Sequence, residues 1–128
     1  MDTDSKLGKR ILLVEDERVL REMIREVLTR HDHTVVEANN GAEAYTLFTK
    51  SQFDLVVTDC VMPFVSGEEL ATRIRRLAPE QPILMLTGRD YKKRAGSPIN
   101  GVLHKPFDYI NLEVELARLL PETVDSNS

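Results

Sequence analysis

Three observations predict an α/β fold with a central parallel sheet. Two short runs are apolar throughout, Ile11-Leu12-Leu13-Val14 and Leu55-Val56-Val57. They lack the polar alternation of a strand with one wet face, and read as strands buried on both sides. The stretches between strands carry apolar residues three and four apart, the period of an amphipathic helix. Strands and helices then alternate along the chain, the pattern of a parallel sheet covered on both faces. With 128 residues the chain has the size of one domain with one core.

Residues 1–8 read as a flexible lead-in, and the domain is expected over residues 9–121. The first strand ends in three acids, Glu15-Asp16-Glu17. Val19, Leu20, Met23, Ile24, Val27 and Leu28 mark the inner face of a helix over about residues 17–31. Arg21, Glu22, Arg25 and Glu26 fall on its outer face, and Asp16 is placed to cap it. Residues 34–38 form a weaker strand nearer the sheet edge. Asn39-Asn40-Gly41 gives a turn and a cap, followed by a helix with Ala44, Leu47 and Phe48 inward. The strand of Leu55 to Val57 runs into Asp59, and Pro63 bars its continuation. Ser66-Gly67 opens the next helix, with Leu70, Ala71, Ile74 and Leu77 inward and Arg73, Arg75 and Arg76 in solvent; Pro79 ends it. Residues 82–86 are a fourth strand closing in Thr87-Gly88. Residues 89–100 show no periodicity, and Gly96, Pro98 and several charges argue for a loop with at most a turn or two of helix. Residues 101–104 are a short fifth strand leading to Lys105-Pro106. Asp108 caps a last helix carrying Leu112, Leu116, Leu119 and Leu120, Pro121 stops it, and residues 122–128 are a flexible tail.

Composition narrows the function. Hydrophobic residues at 41% and charged residues at 30% are ordinary for a globular domain. A formal charge of −4 gives no basis for direct nucleic-acid binding. The single cysteine, Cys60, fits a reducing compartment. The N-terminus lacks the apolar core of a signal peptide, and no run approaches membrane-spanning length. A cytoplasmic location with no membrane contact is expected.

The strand order 2-1-3-4-5 of the flavodoxin-like doubly wound sheet sets the first and third strands side by side at the switch point, where such folds place ligands. Glu15, Asp16, Asp59, Thr87 and Lys105 then gather at one edge in one shallow cleft. Carboxylates packed together need a cation between them. Hard oxygen ligands suit Mg²⁺, for which Asp16 and Asp59 are candidate ligands and Glu15 acts through water. An ionised Asp59 is able to attack phosphorus and form an acyl phosphate. Mg²⁺, the Lys105 ammonium and the Thr87 hydroxyl would balance charge on the transferring oxygens.

Leu12-Leu13-Val14-Glu15-Asp16-Glu17, Val57-Thr58-Asp59 with Met62-Pro63, Leu86-Thr87-Gly88 and Lys105-Pro106-Phe107 together resemble the receiver domain of bacterial two-component response regulators. The resemblance runs from about Arg10 to Leu120, in the family's order. It implies Asp59 as phosphoacceptor, Glu15 and Asp16 as the Mg²⁺-binding acids, a metal-directed carbonyl from Val61, and phosphoryl contacts from Thr87 and Lys105. It implies a phosphohistidine donor on a sensor histidine kinase or histidine phosphotransfer protein. It also implies a signalling phosphoprotein that supports its own phosphorylation and dephosphorylation, not a classical enzyme. Val61 and Arg89 would flank the path of attacking water.

Two departures stand out. Val102 occupies the position three before the lysine where the family usually has an aromatic residue. The stretch from Thr87 to Lys105 is also about one helical turn short. Both features are similar to a subset of receivers whose fourth helix is degraded, so the helix between the fourth and fifth strands is expected to be short or disordered. With few apolar residues to bury, residues 89–100 are expected to order only on phosphorylation. Two other readings stand beside this one. An aspartate-nucleophile phosphatase would need a second acid two past Asp59, where Val61 stands. A phosphorylation-independent binding module would have lost some of these polar residues, and none is lost.

Overall fold

The computed structural model describes residues 8–120 apart from Arg89. Its elements are β1 (Arg10–Val14), α1 (Arg18–Arg30), β2 (Thr34–Ala38), α2 (Gly41–Lys50), β3 (Leu55–Asp59), α3 (Gly67–Leu77), β4 (Ile83–Thr87), β5 (Gly101–His104) and α4 (Tyr109–Leu119). The five strands are all parallel, in the order β2-β1-β3-β4-β5. This is the expected flavodoxin-like sheet. Residues 1–7, Pro121 and the tail lie outside the described residues, as does Arg89.

Side chains alternate across each strand, so the sheet has two cores. Leu12, Val14, Val56, Ile83 and Met85 pack with Ala44, Phe48, Leu70, Ala71 and Ile74 from α2 and α3. Ile11, Leu13, Leu55, Val57, Leu84, Leu86 and Leu103 pack with Ile24, Val27, Leu28, Leu112 and Leu116 from α1 and α4. The central strands β3 and β4 are buried along their whole length. That explains the apolar run Leu55-Val56-Val57 at the start of β3.

The helix starts follow their caps. Asn40 accepts from the Glu43 N–H and Ser66 from the Glu69 N–H. Asp108 and Asn111 form a reciprocal capping box on α4. α1 differs. Glu17, not Asp16, is its cap residue, and no side chain caps it, because the Asp16 carboxylate is turned toward Glu15 and Asp59.

The structure corrects four further expectations. Val19 and Leu77 were placed inward by period but stand 74% and 54% exposed, Val19 in the first turn of α1 and Leu77 in the last turn of α3. Arg21 is not on a solvent face: its guanidinium meets Glu37 on β2 and the Glu15 carbonyl. Arg75 is not a solvated side chain either. It donates to the carbonyls of Ala78, Pro79, Gln81 and Pro98 and to Oδ1 of Asn100. Residues 90–100 hold turns and no helix among the described residues. Yet this segment is fastened, with Ile99 only 3% exposed and Asn100 tied to β4 by its backbone and side chain. The expectation that it has little to bury is therefore wrong: Ile99 and Tyr91 pack against the α2/α3 core.

Candidate functional site

The site grows out of the α1/α4-facing rows of three strands. Leu13, Val57 and Leu103 belong to that core. Two residues further on, the same rows reach Glu15, Asp59 and Lys105. The parallel register aligns the strand ends, with Val14 paired to Thr58 and Asp59 to Leu86. A run of apolar side chains thus ends in two acids and an amine at the carboxyl edge of the sheet.

Asp59 is 7% exposed. Its Oδ1 accepts the Cys60 N–H at 2.9 Å and the Lys105 ammonium at 3.0 Å. Its Oδ2 accepts no described hydrogen bond. The Cys60 N–H is shared with the Leu86 carbonyl, which locks the turn beyond β3 to β4. Gly67 packs so closely on this turn that a Cβ there would collide with the Asp59 carbonyl oxygen. Its N–H donates to the Cys60 carbonyl. Lys105 is positioned by its own N–H, which donates to the Thr87 carbonyl at 2.7 Å.

Glu15 is fully buried. Oε2 accepts the Glu17 N–H at 3.0 Å, while Oε1 has no hydrogen-bond partner. Lys105 Nζ lies 3.6 Å from Oε1, an ion-pair contact longer than a hydrogen bond. Burial pushes the Glu15 carboxyl above its ordinary range, the Glu17 N–H opposes this, and the Asp59 charge adds to it. For Lys105, burial works against the charged form, but the Asp59 hydrogen bond and the Glu15 charge outweigh it and hold the amine above its usual value. Carboxylate oxygens of Glu15, Asp16 and Asp59 all lie within 4.8 Å of one another.

Glu15, Asp16, Asp59 and Lys105 are therefore brought together. Thr87 is buried at the same edge, but it continues the row of Ile83 and Met85, which faces α2 and α3. Its hydroxyl makes no described hydrogen bond. Val61 is 79% exposed two residues past Asp59, and no described hydrogen bond ends on its carbonyl. Two participants were missed in the sequence. Arg21 touches the Glu15 carbonyl, and Tyr91 donates its hydroxyl to Glu68 on α3 at 2.8 Å. Glu37 carried a partial signal for the first: it lies two residues past Val35, on the strand face that packs toward α1, where a helix cation is able to pair with it.

A flavodoxin-like sheet with acids and an amine at its carboxyl edge is the architecture of a receiver domain, and the chain belongs to the response regulator receiver domain family, whose sequence model matches residues 11–117. It is 35% identical over 118 residues to the response regulator receiver protein CpdR of Brucella abortus, covering 88% of this chain and 97% of that protein. It is 31% identical to the transcriptional regulatory protein PcoR of Escherichia coli, covering 88% of this chain but 51% of that one. The chain thus spans about half the length of several curated relatives. Among solved structures, the response regulator protein TrrA of Thermotoga maritima, crystallised in complex with Mg²⁺-BeF, is 33% identical. That match has a TM-score of 0.79 over 87% of this chain and 98% of that one. Among the described residues no helix is long and apolar enough to cross a membrane.

Proposed function

We propose that this domain accepts a phosphoryl group on Asp59 from a phosphohistidine of a sensor histidine kinase or phosphotransfer protein, and changes its partner binding as a result. The observation that carries the reading is the asymmetry of the Asp59 carboxylate. Oδ1 is held by Cys60 and Lys105, while Oδ2 is free of described hydrogen bonds. An oriented carboxylate with one oxygen free suits in-line attack. Oδ2 would form the new O–P bond as the P–N bond of the donor breaks, and the departing imidazole keeps the bonding electron pair. Lys105 would follow the charge from Asp59 to the phosphoryl oxygens. The Thr87 hydroxyl reaches them only by turning from its present row, which couples acceptance to a movement at the end of β4.

The donor set fits a hard divalent cation. Glu15 Oε1 is buried and unpartnered, and three carboxylates converge on one point. Glu15, Asp16, Asp59 and the Val61 carbonyl would hold Mg²⁺. When bound, Mg²⁺ supplies charge neutralisation for the acids and the phosphoryl oxygens. The Mg²⁺-BeF complex of TrrA supports this choice of ion.

A protein donor is supported by three exposed apolar side chains beside the site. Val19 opens α1, and Val61 and Phe64, the latter 95% exposed, lie on the loop after β3. Incubation with a small acyl phosphate and Mg²⁺, followed by intact-mass measurement, tests the reading: one phosphoryl group is expected on Asp59, and none without the metal.

A further inference from the structure

We infer that Arg21 is a positioning residue for the acidic pair: by holding the Glu15 carbonyl against α1 and β2, it sets where Glu15 and Asp16 present their carboxylates. This rests on the proposed Mg²⁺ role of those acids.

The connection from β1 to α1 is only Glu15-Asp16-Glu17. Such a short link at a ligand edge must be fixed if its carboxylates are to meet a small cation at defined distances. The usual fastening is missing, because Glu17 makes no side-chain cap bond and the first turn of α1 carries no acid. Three described side-chain contacts hold the link to the fold besides the helical backbone, one of them the Lys105 ammonium 3.6 Å from Glu15 Oε1, longer than a hydrogen bond. The Glu17 N–H donates to Glu15 Oε2 at 3.0 Å, a bond within the link itself. Arg21 donates through a terminal guanidinium nitrogen to the Glu15 carbonyl at 2.9 Å. Among the described side-chain hydrogen bonds, only the Arg21 bond ties the backbone of the link to another element.

The Arg21 side chain is itself fixed. It is 20% exposed, and its Nε lies 3.3 Å from Glu37 Oε1. Glu37 is paired in the sheet with Leu13, two residues before Glu15, so the guanidinium bridges β2 to the end of β1. Arg25 meets the other oxygen of Glu37 at 3.4 Å and does not touch Glu15. A planar guanidinium spans two acceptors at once in a way an ammonium does not. Groups that orient metal ligands commonly change metal affinity about 10- to 100-fold when removed.

Charge and position predict opposite results here. Arg21 is a cation near a cation site, so removing its charge alone would strengthen Mg²⁺ binding. Removing a support would weaken it. The test is Mg²⁺ titration of the phosphate-free protein by calorimetry, well below its melting temperature. It compares wild type with Arg21→Met, Arg21→Lys and Arg25→Ala. We expect Arg21→Met to bind Mg²⁺ about tenfold more weakly. Arg21→Lys, which keeps the charge but loses the bridge, should be weakened in the same direction. Arg25→Ala should be unchanged. In the metal-free state, exchange of the Asp16 and Glu17 amides should quicken in both Arg21 variants. At saturating Mg²⁺ the labelling rate of Asp59 should recover toward wild type, since Arg21 touches no reacting atom. Equal or tighter Mg²⁺ binding in folded Arg21→Met overturns the inference and leaves the proposed function standing. If Arg21→Met does not fold, wild-type affinity in Arg21→Lys overturns it. A wild-type protein that binds no Mg²⁺ overturns both.

Discussion

Lys105 Nζ donates to Oδ1 of Asp59 at 3.0 Å, the same oxygen that accepts the Cys60 N–H. The pair brings an amine from beyond β5 across the end of β4 to the last residue of β3. It leaves the second oxygen of Asp59 free of described hydrogen bonds. It also sets one cation between two buried acids, since Lys105 faces both Asp59 and Glu15.

Replacing Lys105 with Met removes that cation and leaves two buried carboxylates facing each other. The metal-free protein should lose about 1–2 kcal/mol, less than for a fully buried pair because Lys105 is partly exposed. Added Mg²⁺ should then raise the melting temperature of the variant more than that of wild type. Thermal melts with and without Mg²⁺ check both statements.

Gly67→Ala puts a methyl group into the Asp59 carbonyl oxygen. The backbone on one side must shift, at a cost of about 1–3 kcal/mol. Because the displaced group belongs to Asp59, the proposed phosphoacceptor, labelling should slow even where the variant is folded. A melt paired with a labelling time course separates the two effects.

Arg75→Ala unfastens the segment between β4 and β5. Charge-assisted hydrogen bonds to backbone carbonyls and to Asn100 are lost, so the fold should weaken by about 2–3 kcal/mol. Exchange at the Ile83 and Asn100 amides, slow in wild type, should accelerate. Denaturant titration and hydrogen exchange report these changes.

His33 gives a pH signature. Burial lowers its pKa below the ordinary 6.5, helped by the neighbouring charges of His31 and Lys9, and its Nδ1 has no hydrogen-bond partner among the described residues. The folded state therefore binds the proton less readily than the unfolded chain. Stability contributed by neutral His33 is present above pH 6.5 and falls as pH drops through the unfolded and then the folded value. Between about pH 7 and 5, His33→Gln should lose stability less steeply than wild type. Melting temperatures across that range decide it.

Much of this architecture was legible in the sequence. The apolar runs Ile11-Leu12-Leu13-Val14 and Leu55-Val56-Val57 are unbroken because helices cover both faces, and each is followed within two residues by a candidate site residue. The convergence of Glu15, Asp16, Asp59 and Lys105 was legible because strand ends at one edge converge whatever the details of packing. Helix period placed Ile24, Leu28, Leu70 and Ile74 correctly. It failed for Val19 and Leu77, because period describes a face and not which turns of the helix are covered. Arg21 and Arg75 were misread for a related reason. A long side chain on an outer helix position reaches neighbouring elements, and only their placement reveals the carbonyls it meets. Residues 90–100 looked empty because the chain segment is polar; its two anchors, Tyr91 and Ile99, are single residues with no period to betray them.

The central claim is that Asp59 is the phosphoacceptor. Intact-mass spectrometry after incubation with a small acyl phosphate and Mg²⁺ tests it most directly, on wild type and on Asp59→Asn. That variant keeps the shape of the side chain and removes the nucleophilic carboxylate. One added phosphoryl group on wild type and none on Asp59→Asn is the predicted result. Equal labelling of the two proteins, or none on wild type, would contradict it.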